Sequence, residues 1–130
     1  MTLNSALQIS ASGLTAERFR LDVISSNIAN ADTTQIGNTP PYRRQEVELQ
    51  SGPDGVQVAG IVPDMSAFPQ KVDWTNPNHD PQTGVVTSSN VQPVVEMVDM
   101  LSASRAYEAN IAAFNSAKSM IQDAFTIGKV

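Results

Sequence analysis

Apolar residues return every seven positions near the start of the chain, at Leu7, Leu14, Leu21 and Ile28, with Leu3 and Ile24 on the adjoining stripe. Such a repeat is a heptad-like seam along one face of a helix. Ala11, Ala31, Ser10 and Ser25 keep neighbouring positions small, which lets a partner helix approach closely. Gly13 weakens this helix by about 1 kcal/mol against Ala and is expected to bend its first turns. The polar run Ser25, Ser26, Asn27, Asn30, Asp32, Thr33 and Thr34 then stops it, because these side chains compete for backbone hydrogen bonds. The pattern predicts a terminal helical segment over residues 1–31, roughly 40 Å long.

A second helical pattern fills residues 91–130. Steps of three and four from Met97 pass through Met100, Ser104, Tyr107, Ile111, Phe114, Lys118, Ile121 and Phe125, mostly apolar. Val94, Val98 and Leu101 add a second stripe early, and Ala113, Ala117, Met120 and Ala124 add one late. Asn90 is read as the N-cap, Pro93 suits the first turn, and Glu96 complements the helix dipole there. Gly128 closes the helix, which would run roughly 50 Å.

Between them, residues 32–90 hold every proline except Pro93, so no long helix survives. "EVELQSGPDGVQVAGIV" alternates around a Gly-Pro-Asp-Gly turn and predicts a β-hairpin, with Val47, Leu49, Val56, Val58 and Ile61 as its apolar positions. "PQKVDW" and "TGVVTS" predict a second, shorter pair of extended pieces. "TTQIGNTPPY" and "TNPNHDPQTG" read as long loops. The expected fold class is α+β: long N- and C-terminal helices forming a coiled-coil-like pair, with a small hairpin-containing, loop-rich middle, all in one structural domain.

Two helices cover each other along one line only, and the second is apolar over more than one stripe. Some of Val94, Met97, Leu101, Tyr107, Phe114 and Phe125 should therefore stay exposed in an isolated subunit. If about 500 Å² remained bare, covering it would release on the order of 12 kcal/mol before ordering costs. The middle loops are polar and poor in large apolar residues, so assembly with other chains is the expected cover. The residues expected to carry helix packing and assembly are Leu7, Leu14, Leu21, Ile24, Ile28, Val94, Met97, Val98, Leu101, Arg105, Tyr107, Ile111, Phe114, Ile121 and Phe125. Small residues such as Ala29, Ala103 and Ala106 allow close approach. Arg18, Asp99, Arg105 and Glu108 are candidates for lateral charge pairing, and Asn27, Asn30 and Asn110 for satisfying backbone groups where the first helix ends.

Composition narrows the function. The net charge of -5 and the single tight basic pair, Arg43-Arg44, speak against nucleic-acid binding, and that pair reads as a solvated turn. Cysteine is absent, which excludes disulfides, thiolate nucleophiles and Cys-based metal sites. The N-terminal stretch has neither a basic start nor an unbroken apolar core, so it is not expected to be a secretory signal, and no segment is long and apolar enough to span a membrane. His79 stands in a Pro/Asn/Asp loop, with Asp73 and Asp80 nearby but without ligand spacing. Glu46 and Glu48 read as one solvated strand face rather than a catalytic carboxylate pair. No nucleophile elbow or phosphate-binding glycine loop occurs. The expectation is a non-enzyme with no cofactor, no metal and no small-molecule substrate.

"SASGLTAERFRLDVISSNIANADTTQ" closely resembles the N-terminal signature shared by bacterial flagellar rod and hook proteins, and "NVQPVVEMVDMLSASRAYEANIAAFNSAKSMIQDAFTIGK" resembles their C-terminal one. "PPYRRQEV" and "NPNHDPQTG" are similar to loop motifs of the proximal-rod branch. The resemblance implies a structural subunit of the flagellar basal-body rod, which crosses the periplasm. Subunits would leave the cytoplasm through the flagellar type III export apparatus without a cleaved signal. They would stack with copies of themselves, with other rod proteins and with the basal adaptor of the MS ring and export gate, into a helical tube that transmits torque. Export through a narrow channel requires an unfolded chain, so the helices are expected to fray in the monomer and to order on assembly. A small soluble adaptor or chaperone of a type III export system is the alternative reading.

Overall fold

The computed structural model describes residues 2–129; Met1 and Val130, the outermost positions of the two expected terminal segments, lie outside the described residues. Six elements follow in order: α1 (Leu3–Ala29), β1 (Gln45–Gly52), β2 (Gly55–Pro63), β3 (Gln70–Val72), β4 (Val85–Thr87) and α2 (Pro93–Ile127). The fold is α+β, two long helices flanking a small antiparallel middle. No helix among the described residues is long and apolar enough to cross a membrane.

Helix α1 begins with a capping box. Thr2 accepts from the Ser5 backbone N–H while Ser5 Oγ accepts from the Thr2 N–H. It runs unbroken through Gly13 and ends at Asn30, whose backbone N–H reaches the last carbonyls. Its antiparallel partner α2 starts at Gln92, which supplies no side-chain cap. Asn90 is not the N-cap: its side chain is drawn away to the Arg44 N–H and the Asp64 carbonyl.

The seam between the helices is narrow and made of small or polar residues. On α2 the buried positions are Glu96, Ala103 and Ala117, with half-buried Asn110 between them at the same seven-residue spacing. That line falls one residue before Met97, Ser104, Ile111 and Lys118, so those four are displaced to its flank. Opposite lie Gly13, Ile24 and Asn27. Gly13 earns its place by packing: an ideal Cβ there would stand 2.8 Å from Asn110 Nδ2. Asn110 thus covers mid-α1 and serves no helix end. The missing side chain at Gly13 makes room for the Asn110 amide against α1.

β1 and β2 form a hairpin through Pro53-Asp54, with a bulge where Glu48 pairs Gly60 and Leu49 pairs Val58. The hairpin lies along a second face of α1. At its tip, Ser12 Oγ accepts from the Val56 N–H at 3.0 Å and donates to the Ile9 carbonyl at 2.7 Å. Gly55, at φ +117, passes so close to α1 that a Cβ would sit 2.1 Å from Ser12 Oγ, so both the turn and the approach require glycine. Val47, Val56 and Val58 are half-buried; Leu49 and Ile61 stand directly opposite Val58 and Val47 and so share their face, yet remain 37% and 45% exposed.

β3 and β4 pair separately, and Thr34 bridges Ser88 beside them. Val86 of β4 and Val91, just before α2, are both buried.

Candidate functional site

Two features meet at the start of α2: a buried polar clasp and, on the far side of the helix, a bare apolar stripe. The clasp centres on Glu96, whose side chain is 0% exposed although it carries a carboxylate. A buried charge is tolerated only when it is paired and hydrogen-bonded. Asn27 on α1 donates its amide to Glu96 Oε2 at 3.0 Å, and Arg44 Nε donates to Oε1. The Asn27 amide also donates to the Gln45 carbonyl at 2.8 Å, and its oxygen accepts from the Gln45 N–H at 3.1 Å and the Tyr42 hydroxyl at 2.9 Å. One asparagine thereby ties the end of α1 to the entry of β1 and to α2.

Arg44 extends the network. Its guanidinium, 15% exposed, pairs with Glu46 and Glu96, with Asp99 at 3.1 Å, and lies 3.5 Å from Asp64. Burial works against the charge. The hydrogen bonds to Glu96 and Glu46 outweigh it and raise the Arg44 pKa above the ordinary guanidinium value. The neighbouring Arg43 donates to the Asp64 and Ser66 carbonyls and lies over the Phe68 ring, 4.1 Å from its centroid. The reading of Arg43-Arg44 as a solvated turn is therefore overturned: two arginines enter the fold because buried carboxylate and carbonyl oxygens await them. Asp99, a candidate for pairing between subunits, is occupied within the chain by Arg44.

The fifteen residues expected to carry packing and assembly divide unevenly between the helices. Ile24 is buried. Leu7, Leu14, Leu21, Ile28, Tyr107, Phe114 and Ile121 are half-buried. Val94, Met97, Val98, Leu101, Arg105, Ile111 and Phe125 are exposed. Val94 is 74% exposed and Leu101 61%. At 100° per residue, Val94, Val98, Leu101 and Arg105 point away from the Glu96-Ala103-Asn110 seam. Fully covering a residue of this kind gives roughly 1.5–3 kcal/mol; Val94, Met97, Val98 and Leu101 are 74%, 55%, 60% and 61% exposed, so burying what remains bare would release on the order of 4–8 kcal/mol before ordering costs.

The register of the helix pair also leaves an overhang. Asn27 faces Glu96 and Gly13 faces Asn110, so Leu3 falls opposite Met120. Beyond it α2 continues to Ile127 with no α1 alongside, and Phe125 and Ile127 are exposed there.

The polar clasp was not legible as such in the sequence. Its members, Asn27, Tyr42, Arg44, Asn90, Glu96 and Asp99, come from four separate stretches, and only the Glu96/Asp99 spacing marks one helix face. Elsewhere, the His79 ring contacts the Asn76 carbonyl at 2.5 Å and tilts against Trp74. No three His, Asp or Glu side chains gather as metal ligands among the described residues.

Comparison with known proteins matches both ends of the chain. Residues 7–35 match the family described as "Flagella basal body rod protein", and residues 82–127 match "Flagellar basal body rod FlgEFG protein C-terminal". The chain is similar to the flagellar basal-body rod protein FlgC of Bacillus subtilis (strain 168), 42% identical across 99% of this chain and 100% of that protein. It is likewise similar to FlgC of Borreliella burgdorferi, 41% identical with 98% of each chain covered. With FlgC of Escherichia coli O6:H1 it shares 38% identity over 99% of this chain and all of that protein, 100%.

Proposed function

The chain belongs to the FlgC family of flagellar basal-body rod proteins, and from that premise we propose that its exposed α2 stripe is the surface through which it enters the rod. It is a structural subunit of the flagellar basal body and assembles with other rod components. The observation that carries the surface assignment is the contrast along α2. A helix of 35 residues buries only three of them within the subunit, and Val94, Met97, Val98 and Leu101 remain bare. A face of this kind needs a neighbour.

Finer parts of the reading follow from the same premise. Residues 1–31 and 91–130 would act as the axial helices lining the tube wall and residues 32–90 as the outer, β-containing part. Copies of the chain, the basal adaptor of the MS ring and the type III export apparatus would be its partners. The assembled tube would carry torque through many small helix contacts. The chain would do so without catalysing a reaction. The small adaptor or chaperone reading is not favoured, since the relatives matched along their whole length are rod proteins.

The test is genetic and structural. Cells of the source bacterium lacking this protein should yield basal bodies without a completed rod, and the wild-type chain should restore it. Val98→Asp with Leu101→Asp should leave the purified subunit's helix content unchanged yet fail to restore the rod. Full restoration by that double variant would remove the stripe from the interface.

A further inference from the structure

The first turns of α2 carry the stripe yet bury little. Between Pro93 and Ser102 only Glu96 is buried, and the helix opens without a side-chain cap. No Cα of either hairpin strand comes within 8 Å of one in α2 among the described residues. Apolar burial therefore contributes little to holding this segment in place. What fastens it is the pair Glu96 and Asp99: Glu96 bonded to Asn27 and Arg44, Asp99 bonded to Arg44 at 3.1 Å. Arg44 in turn grips Glu46 on β1, approaches Asp64 just past β2, and has its own backbone N–H held by Asn90 at 2.7 Å.

We propose that Arg44 is the positioning residue of the assembly surface: its guanidinium spans the hairpin base and the first two turns of α2, and thereby fixes the direction in which the apolar stripe faces. The proposal rests on the rod reading and deepens it. Only a planar fork with several donors serves four carboxylates in different directions at once; a lysine ammonium supplies the charge but not the span. A charged clasp also has a property that apolar packing lacks. It is directional, so it specifies one orientation of α2 against the hairpin instead of a range of slightly shifted ones.

The chain has no cysteine, so spin labels can be placed on Cys substituted for exposed Glu48 and Ser102 in the full-length subunit. Arg44→Lys and Asp99→Asn should broaden the label-to-label distance distribution about twofold, as expected when a local segment is released. Helix content at the same temperature should stay at the wild-type level. Entry of these variants into basal bodies, at matched expression, should fall roughly tenfold, the size of an ordinary coupling between sites. Asp99→Glu should restore both the narrow distribution and incorporation. Unchanged distances with unchanged incorporation overturn the proposal. Incorporation that falls only in step with helicity overturns it as well, because Arg44 would then be a stabilising contact and nothing more. Failure of the wild-type chain itself to enter basal bodies would instead sink the rod reading.

Discussion

Gly13→Ala isolates the closeness of the helix pair in a single methyl group. In a free helix this change stabilises by roughly 0.5–1 kcal/mol, since alanine loses less entropy on ordering. Here the new Cβ would lie 2.8 Å from Asn110 Nδ2 and 2.9 Å from Cγ and Oδ1, whereas unstrained carbon contacts settle near about 3.5–4.0 Å. The whole amide must swing aside or the helices must part, and overpacking of this kind costs about 1–3 kcal/mol. The net expectation is a loss of about 0.5–2 kcal/mol after the helix gain is set against the clash. For a chain of this size that is a drop of roughly 2–8 °C in the midpoint of helix melting. Asn110→Ala removes the obstacle, so in that background Gly13→Ala should stabilise by its free-helix amount. A thermal melt followed at 222 nm on the four members of the cycle reads the sign reversal directly. The same shift in both backgrounds would refute the close approach; a smaller rise in the wild-type background would mean that the Asn110 amide swings aside at little cost.

Other consequences are independent of that crossing. Asp64 is held below the usual carboxylate range first by the Ser66 backbone N–H and hydroxyl and then by Arg44; Asp73 is held there by Thr75, and Asp80 by Gln82 and Thr83. A carboxyl with a depressed folded pKa contributes stability above its unfolded value, about 3.9, and loses that contribution as pH falls through the folded value. Stability should therefore hold at neutral pH and decline below about pH 4, with Asp64→Asn flattening the slope in a denaturant series. Glu17 Oε2 is buried without a hydrogen-bond donor, with Arg20 3.6 Å away. Glu17→Leu should consequently leave stability unchanged or raise it by about 1 kcal/mol in urea unfolding, and a clear loss would mean the carboxylate has a partner. Hydrogen exchange on the dilute subunit should show fast amides beyond Met120, where α2 has no α1 beside it, and slower ones between Glu96 and Ala117. Uniform protection to Ile127 would contradict the overhang.

The sequence by itself determined the elements and the class of the fold. Helices, hairpin and second strand pair rest on local signals: heptad spacing of Leu7, Leu14, Leu21 and Ile28, the proline-rich middle, the Gly-Pro-Asp-Gly turn. These act through backbone conformation and one-dimensional periodicity, so they survive without knowledge of neighbours. The two terminal signatures also pointed to the rod family. Tertiary structure alone decided which side of each helix faces inward. The large apolar residues suggested a seam through Met97, Ile111 and Phe125, yet the closest line of approach runs through Glu96, Ala103, Asn110 and Ala117, because small side chains permit near contact and bulky ones must stand on the flanks. Arg44 and Glu96 belong to the same category. They are 52 positions apart, and their pairing depends on a register and a loop path that no local pattern encodes. A charge reads as solvated until the fold shows what it has been carried against.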